Sequence, residues 1–230
     1  MSAEAPRVSV VVPVKDGERY LAEALDSALA QRGPSFEVVV VDDGSTDGTA
    51  EIAGRYGDRI RYVRVDHGGA AAARNHAIGI ARGELLAFLD ADDVWTSGRL
   101  ALLVAALDAD PTVEVVAGHV VNFASPELSA EEVAGVRVGD EPLAGDIPSA
   151  TVMRRAAFER VGPFSREVGH LEWAEWSIRA RRAGLVKTML PEVVARRRVH
   201  TANVGRVAED PKRAWLALVR DHLRKSREAG

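Results

Sequence analysis

The sequence predicts an α/β fold: a mostly parallel central sheet with helices packed on both of its faces. Two observations carry this. Apolar, strand-like runs alternate with helix-period segments over roughly the first 90 residues. Two of those runs also end in acids, Phe36–Val41 leading into Asp42-Asp43-Gly44-Ser45-Thr46-Asp47 and Leu85–Leu89 into Asp90-Ala91-Asp92-Asp93. Continuous apolar runs mark strands buried on both faces, and their carboxyl ends are where ligands sit in open α/β sheets.

The elements follow in order. Arg7–Val14 reads as the first buried strand, and Lys15-Asp16-Gly17 as a turn. From Glu18, the apolar positions Leu21, Ala24, Leu25, Ala28 and Leu29 recur at helical spacing until Gly33-Pro34 ends the pattern. Phe36–Val41 is a second strand, and Thr46 or Asp47 can cap a helix carrying Ala50, Ile52, Ala53 and Tyr56. Ile60–Val65 alternates as a strand. Gly68-Gly69 opens an alanine-rich helix, Ala70–Ala81, which contains Arg74-Asn75; Gly83 closes it, and the strand into Asp90 follows. Trp95–Leu107 is expected to be helical, with Leu100, Leu103, Val104 and Leu107 on one face, and Val113–Val121 to be a strand. From Phe123 to Asp146 large apolar residues are few, so a loop is expected. Beyond Pro148 come a short strand at Ala150–Met153, helices at Arg154–Val161 and Leu171–Ala183, and edge strands at Val186–Leu190 and Val193–Val199. A last helix over 210–227 puts Trp215, Leu218, Val219, His222 and Leu223 on one stripe.

The totals narrow the function. The 230-residue chain is 47% hydrophobic, enough for a sizeable core, and its net charge of −4 gives no nucleic-acid footprint. There is no cysteine, which excludes a disulfide scaffold, a thiol nucleophile and a thiolate zinc site and is compatible with a reducing cytoplasm. The N-terminus has no signal-peptide pattern, and no apolar run approaches the roughly 20 residues that span a bilayer. Three acids within Asp90–Asp93 repel one another unless they are solvated or share a cation. Mg²⁺ and Mn²⁺ prefer oxygen ligands and often share their shell with substrate phosphates. The cluster is therefore either a metal–phosphate site at a strand end or a solvated acidic turn that caps the next helix.

Val10-Val11-Val12-Pro13-Val14, Asp42-Asp43-Gly44-Ser45-Thr46-Asp47, Ala73-Arg74-Asn75 and Phe88-Leu89-Asp90-Ala91-Asp92-Asp93 stand in the order and spacing of the family 2 glycosyltransferases. The resemblance is strong over residues 7–107 and looser to about His200. It implies a GT-A fold: a Rossmann-like, mostly parallel central sheet flanked by helices (7–107), a smaller acceptor-side sheet (108–205) and a C-terminal helix (206–230), together forming one glycosyltransferase domain. It implies an inverting transfer from a nucleotide-diphosphate sugar, usually a UDP-sugar, assisted by Mn²⁺ or Mg²⁺. Asp90-Ala91-Asp92 matches the family's DXD motif, with Asp92 on the metal and Asp90 on the ribose or donor sugar. Asp93 either supports that site from behind or caps the following helix. Asp43 matches the residue that accepts from the base, its alternative being turn chemistry. Pro13, Val14 and Asp16 lie in the loop that cradles the base, although Lys15-Asp16 replaces the family's usual Tyr-Asn. Arg74 either meets the nucleotide or pairs with an Asp cluster.

Direct inversion needs a base beside the acceptor hydroxyl. The family usually draws it from a Glu-Asp pair at a helix start; here that helix reads Gly169-His170-Leu171-Glu172-Trp173-Ala174-Glu175-Trp176. Glu172 falls at the acidic pair and Glu175 lies one turn on. Either is the base, or both are first-turn acids favoured by the helix dipole. Trp173 and Trp176 either lower local polarity, stack on a sugar, or belong to the core. His200 matches a histidine that many GT-A enzymes place near the metal. By strand alternation Arg196 and Arg198 share its face, which suits a diphosphate, and Asn203 stands near. The basic final helix either packs on its own domain or a dimer partner, or rests on an anionic membrane. The acceptor class — glycan, lipid-linked, small molecule or peptide — is not encoded in any motif. The rival readings are a non-catalytic nucleotide-sugar-binding protein of the same fold and a sugar nucleotidyltransferase, which would need a Gly-rich phosphate loop that Val14-Lys15-Asp16-Gly17 lacks.

Overall fold

In the computed structural model, residues 5–134 and 138–203 are described. The strands are β1 (Val8–Val14), β2 (Phe36–Asp42), β3 (Arg61–Arg64), β4 (Leu85–Phe88), β5 (Val94–Trp95), β6 (Val115–Ala124), β7 (Leu143–Ala144), β8 (Thr151–Arg154) and β9 (Lys187–Val199). The helices are α1 (Leu21–Leu29), α2 (Thr49–Gly54), α3 (Ala70–Ile80), α4 (Arg99–Ala109), α5 (Ala130–Ala134), α6 (Arg155–Val161) and α7 (Glu172–Arg182).

One sheet runs through the described residues in the order β3-β2-β1-β4-β8-β6-β9-β5, with β7 added on β6. The β3-β2-β1-β4 half is wholly parallel, as the alternation of strands and helices requires. Beyond β4 the pairing is mixed: β8 is antiparallel to β4 and β6, while β9 is parallel to β6. The strands expected to form a smaller acceptor-side sheet are thus the mixed end of the same curled sheet. Parallel β1, β2 and β4 all end at one edge, which brings Val14, Asp42-Asp43 and Leu89-Asp90 together.

The pleat sends alternate side chains into two cores. Val8, Val10, Val12 and Val14 face the side covered by α1 and α4, where Leu21, Leu25, Leu100, Leu103 and Leu107 are buried. Val11, Val39, Val41 and Phe88 face the side covered by α3, α6 and α7, with Phe158, Phe164, Trp173 and Trp176. Trp173 and Trp176 are therefore core. Their rings meet at 6.0 Å, and Trp173 also lies 5.4 Å from Phe88. Gly83 sits where a Cβ would lie 2.6 Å from the Ser9 backbone nitrogen, so only glycine lets β4 start against β1.

Several boundaries differ from the sequence reading. Trp95 belongs to β5, and its helix begins only at Arg99, because Val94 and Trp95 pair with Arg196 and Ala195 of β9, far away in the chain. The 123–146 stretch carries the end of β6, α5 and β7. The two expected edge strands are one, β9, with register shifts around Pro191; a bulge tolerates a residue that cannot donate. Its end is interior, between β6 and β5. The 206–230 helix, on which the dimer and membrane-surface expectations rested, lies outside the described residues. No helix among the described residues is long and apolar enough to cross a membrane.

Candidate active site

At the end of β4 the chain turns through Asp90–Asp93. The Asp90 N–H donates to Ser149 Oγ at 3.0 Å, and the Asp93 N–H closes the turn on the Asp90 carbonyl. Asp93 is buried. Its Oδ1 accepts from the Arg198 N–H at 3.0 Å, and burial, reinforced by Asp92 and Asp90, pushes its carboxyl well above the usual range. It supports the loop and does not reach outward. Arg198 Nε donates to the Asp92 carbonyl at 3.0 Å, another of its nitrogens pairs with Glu23, and its guanidinium is sandwiched between Tyr20 and Phe123. The expectation that Arg198 faces a diphosphate is thus corrected: it pins the end of β9 to the acidic loop. Arg196 lies over the Phe123 ring.

That pinning delivers His200. His200 Nε2 lies 2.9 Å from Asp92 Oδ2, and Asn203 Nδ2 donates to the same oxygen at 3.2 Å. Asp92 and His200, 108 positions apart in the chain, converge as two ligands of one cation would. Among the described residues no three His, Asp or Glu side chains form a complete cage. Two protein groups leave room for substrate phosphates, and Mg²⁺ and Mn²⁺ are commonly held by a carboxylate together with phosphate oxygens.

At the end of β2, Asp43 is buried and its carboxylate accepts from the Gly68 N–H at 2.7 Å and the Gly69 N–H at 2.9 Å, with His67 Nδ1 at 2.6 Å. Asp43 thereby holds the entry to α3, where Gly69 takes φ +87, a backbone state suited to glycine. Pro13 and Val14 are buried in β1, and the Val14 carbonyl accepts from the Asp43 N–H, so neither offers a side chain to the edge. Asp16 is exposed at φ +47 and accepts from the Thr46 N–H at 2.7 Å, a contact that holds its carboxyl below the usual range. Ala91 is half-buried against the α1-side core.

Arg74, on α3, is buried between two carboxylates. One terminal nitrogen pairs with Asp90 Oδ1 and the other with Glu172 Oε1. Burial opposes its charge, but the two acids outweigh it and raise its pKa. Glu172 opens α7 and is only 4% exposed, yet its Oε2 has no hydrogen-bond partner among the described residues. Glu175 points elsewhere: Arg179 grips both of its oxygens, at 2.7 and 2.9 Å, and also donates to the Val161 and Pro163 carbonyls. The fold therefore gathers Asp90, Asp92, Arg74, Glu172 and His200 at one sheet edge and leaves Glu175 in a structural clamp. Sequence reasoning missed Ser149, Tyr20 and His67. None sits in a motif, and each is placed by pairing distant in sequence.

The sequence profile of glycosyl transferase family 2 matches residues 9–162. The chain belongs to that family. An uncharacterized glycosyltransferase of Nostoc sp. is 30% identical over an alignment of 214 positions that covers 86% of this chain and 66% of that protein. Glycosyltransferase GlyG of Streptococcus pneumoniae is 29% identical, matching 67% of this chain and 58% of its own length. An uncharacterized Rickettsia felis glycosyltransferase is 42% identical over 97 residues, only 16% of its length. The chain thus spans less than two thirds of the length of each of these relatives. Among solved structures, mannosyltransferase PcManGT of Pyrobaculum calidifontis, in complex with GDP-Man and Mn²⁺, superposes with TM-score 0.66 at 27% identity over 87% of this chain and 59% of that one. S. aureus TarS 1-349 in complex with UDP-GlcNAc gives TM-score 0.70 at 22% identity over 88% and 61%. The fold is that of the GT-A glycosyltransferases.

Proposed function

We propose that this family 2 protein is a metal-dependent, inverting glycosyltransferase that moves a sugar from a nucleotide-diphosphate donor, a UDP-sugar, to an acceptor hydroxyl. The observation that carries the reading is that the acidic turn meets His200 through Asp92 and, by way of Arg74, Glu172 through Asp90. Support also comes from PcManGT, crystallised with GDP-Man and Mn²⁺, and from TarS with UDP-GlcNAc.

In this reading Asp92 and His200 would hold a divalent ion, which would supply positive charge beside the departing diphosphate. Asp90 orients the ribose or donor sugar. The loops at the ends of β1 and β2, with Asp16 and Asp43, frame the base. Glu172 takes the acceptor's proton at Oε2. The acceptor oxygen then attacks the anomeric carbon from the far side, and the C1–O bond breaks with its electron pair leaving on the nucleoside diphosphate. The reading places the protein in the cytoplasm.

The test is nucleotide release from UDP-GlcNAc, UDP-glucose and GDP-mannose, with Mn²⁺ and with a chelator. The expected result is Mn²⁺-dependent release of one nucleotide that Asp92→Ala abolishes. Nucleotide-sugar binding by calorimetry without any release refutes the catalytic reading and leaves a donor-binding protein.

A further inference from the structure

We propose that Arg74 is a positioning residue for the reaction: its buried guanidinium, shared between Asp90 and Glu172, fixes Glu172 so that Oε2 alone faces the acceptor hydroxyl. This rests on the reading of Glu172 as the base, and it assigns Arg74 to the acceptor side of the chemistry and not to the nucleotide.

Three features of the site support it. First, Arg74 is 5% exposed and both of its terminal nitrogens are committed to carboxylates, one on each wall of the site. A guanidinium is a planar fork with fixed spacing, so holding Asp90 also fixes where Glu172 Oε1 lies; a lysine ammonium is one point on a flexible stem and cannot set both. Second, Glu172 is docked at one oxygen only. Oε2 is buried and without a partner among the described residues, and a catalytic role, with the donor supplied by substrate, is one of the reasons such an atom persists. A substrate hydroxyl is such a donor. Third, the helix beneath is rigid. Trp173 and Trp176, on either side of the next turn, are core residues, and Trp173 Nε1 lies 3.3 Å from Asp146 Oδ1. Backbone and side chain of Glu172 are thus held from two directions. Glu175 has no such freedom at either oxygen, because Arg179 holds both.

The proton balance is simple. The acceptor O–H gives its proton to Glu172 Oε2, while Oε1 stays on Arg74. The protonated acid leaves the Arg74–Asp90 pair intact, so the donor side is undisturbed as the sugar moves.

The experiment compares wild type, Arg74→Lys, Glu172→Gln and the double variant, using whichever of the three panel donors is cleaved with Mn²⁺. It follows kcat and KM for donor hydrolysis, with UDP or GDP affinity by calorimetry and folding by circular dichroism. Misplacing a base by about 1 Å costs roughly 100-fold, so Arg74→Lys is expected to lose about that factor in kcat. Nucleotide affinity is expected to stay within about threefold, and the double variant to be no slower than Glu172→Gln, since residues acting as a unit are not additive. Losses that multiply in the double variant, or a loss of nucleotide affinity with kcat kept, overturn the proposal and return Arg74 to the nucleotide. Full activity of Arg74→Lys beside a dead Glu172→Gln overturns the positioning role but leaves the base standing. An active Glu172→Gln overturns the base and the positioning role together. A wild type that cleaves none of the donors overturns both as well.

Discussion

Replacing Arg99 by methionine is expected to stabilise the protein. Arg99 opens α4 and is 1% exposed. Its guanidinium lies over Trp95 at 3.9 Å and donates once, to the Thr151 carbonyl at 3.3 Å, while Nε and Nη1 have no partner among the described residues. No carboxylate among the described residues pairs with it, and burial pulls its pKa from its ordinary value down to about 9. At about 1.4 kcal/mol per pH unit, that depression is a penalty of about 5 kcal/mol on the folded state at pH 7. The ring contact returns about 2 kcal/mol and the hydrogen bond about 1 kcal/mol. A methionine of similar length keeps the packing without the charge, so Arg99→Met should gain about 2 kcal/mol, as buried ions replaced by apolar groups often do. The pH dependence has a definite sign. From about pH 9 up to the ordinary arginine range the unfolded chain holds a proton at this position that the folded chain has released, so wild-type stability rises with pH in that window. The advantage of Arg99→Met should therefore shrink by about 1 kcal/mol between pH 9 and pH 10. Urea unfolding at pH 7, 9 and 10 measures both effects. A variant less stable than wild type at pH 7, or an advantage that does not change above pH 9, refutes the reasoning.

Two further substitutions test how the site is built. Asp43→Asn keeps the shape but loses the charge that accepts from Gly68, Gly69 and His67 and turns an amide N–H₂ toward donors; a loss of about 3 kcal/mol in urea unfolding is expected, and a change below about 0.5 kcal/mol would show that the 67–69 loop does not depend on it. Gly83→Ala drives a Cβ to within 2.7 Å of backbone atoms of both Val8 and Ser9, which cannot yield without parting β1 from β4, so a loss of about 3 kcal/mol or more is expected, read as a lower urea midpoint.

The parallel half of the fold was legible because its signals are local. Apolar runs wrote β1, β2 and β4, helical spacing wrote α1 and the stripe of α4, and the motifs at the strand ends marked the edge where Asp43, Asp90 and Asp92 gather. Glu172 could be singled out by its place at a helix start, but the choice between it and Glu175 was closed to the sequence. Both are buried acids in the first turn of one helix, and only their partners, Arg74 for one and Arg179 for the other, separate them.

The sequence by itself determined which side chains end each strand, since strand and helix periodicities are properties of neighbouring residues. The tertiary structure decided what those side chains meet. His200 reaches Asp92 across 108 positions and Arg74 reaches Glu172 across 98, while the two residues of β5 exist as a strand only because β9 lies beside them. Pairings of that separation leave no period in the chain, because the contact is set by how the sheet curls and not by the residues on either side of it.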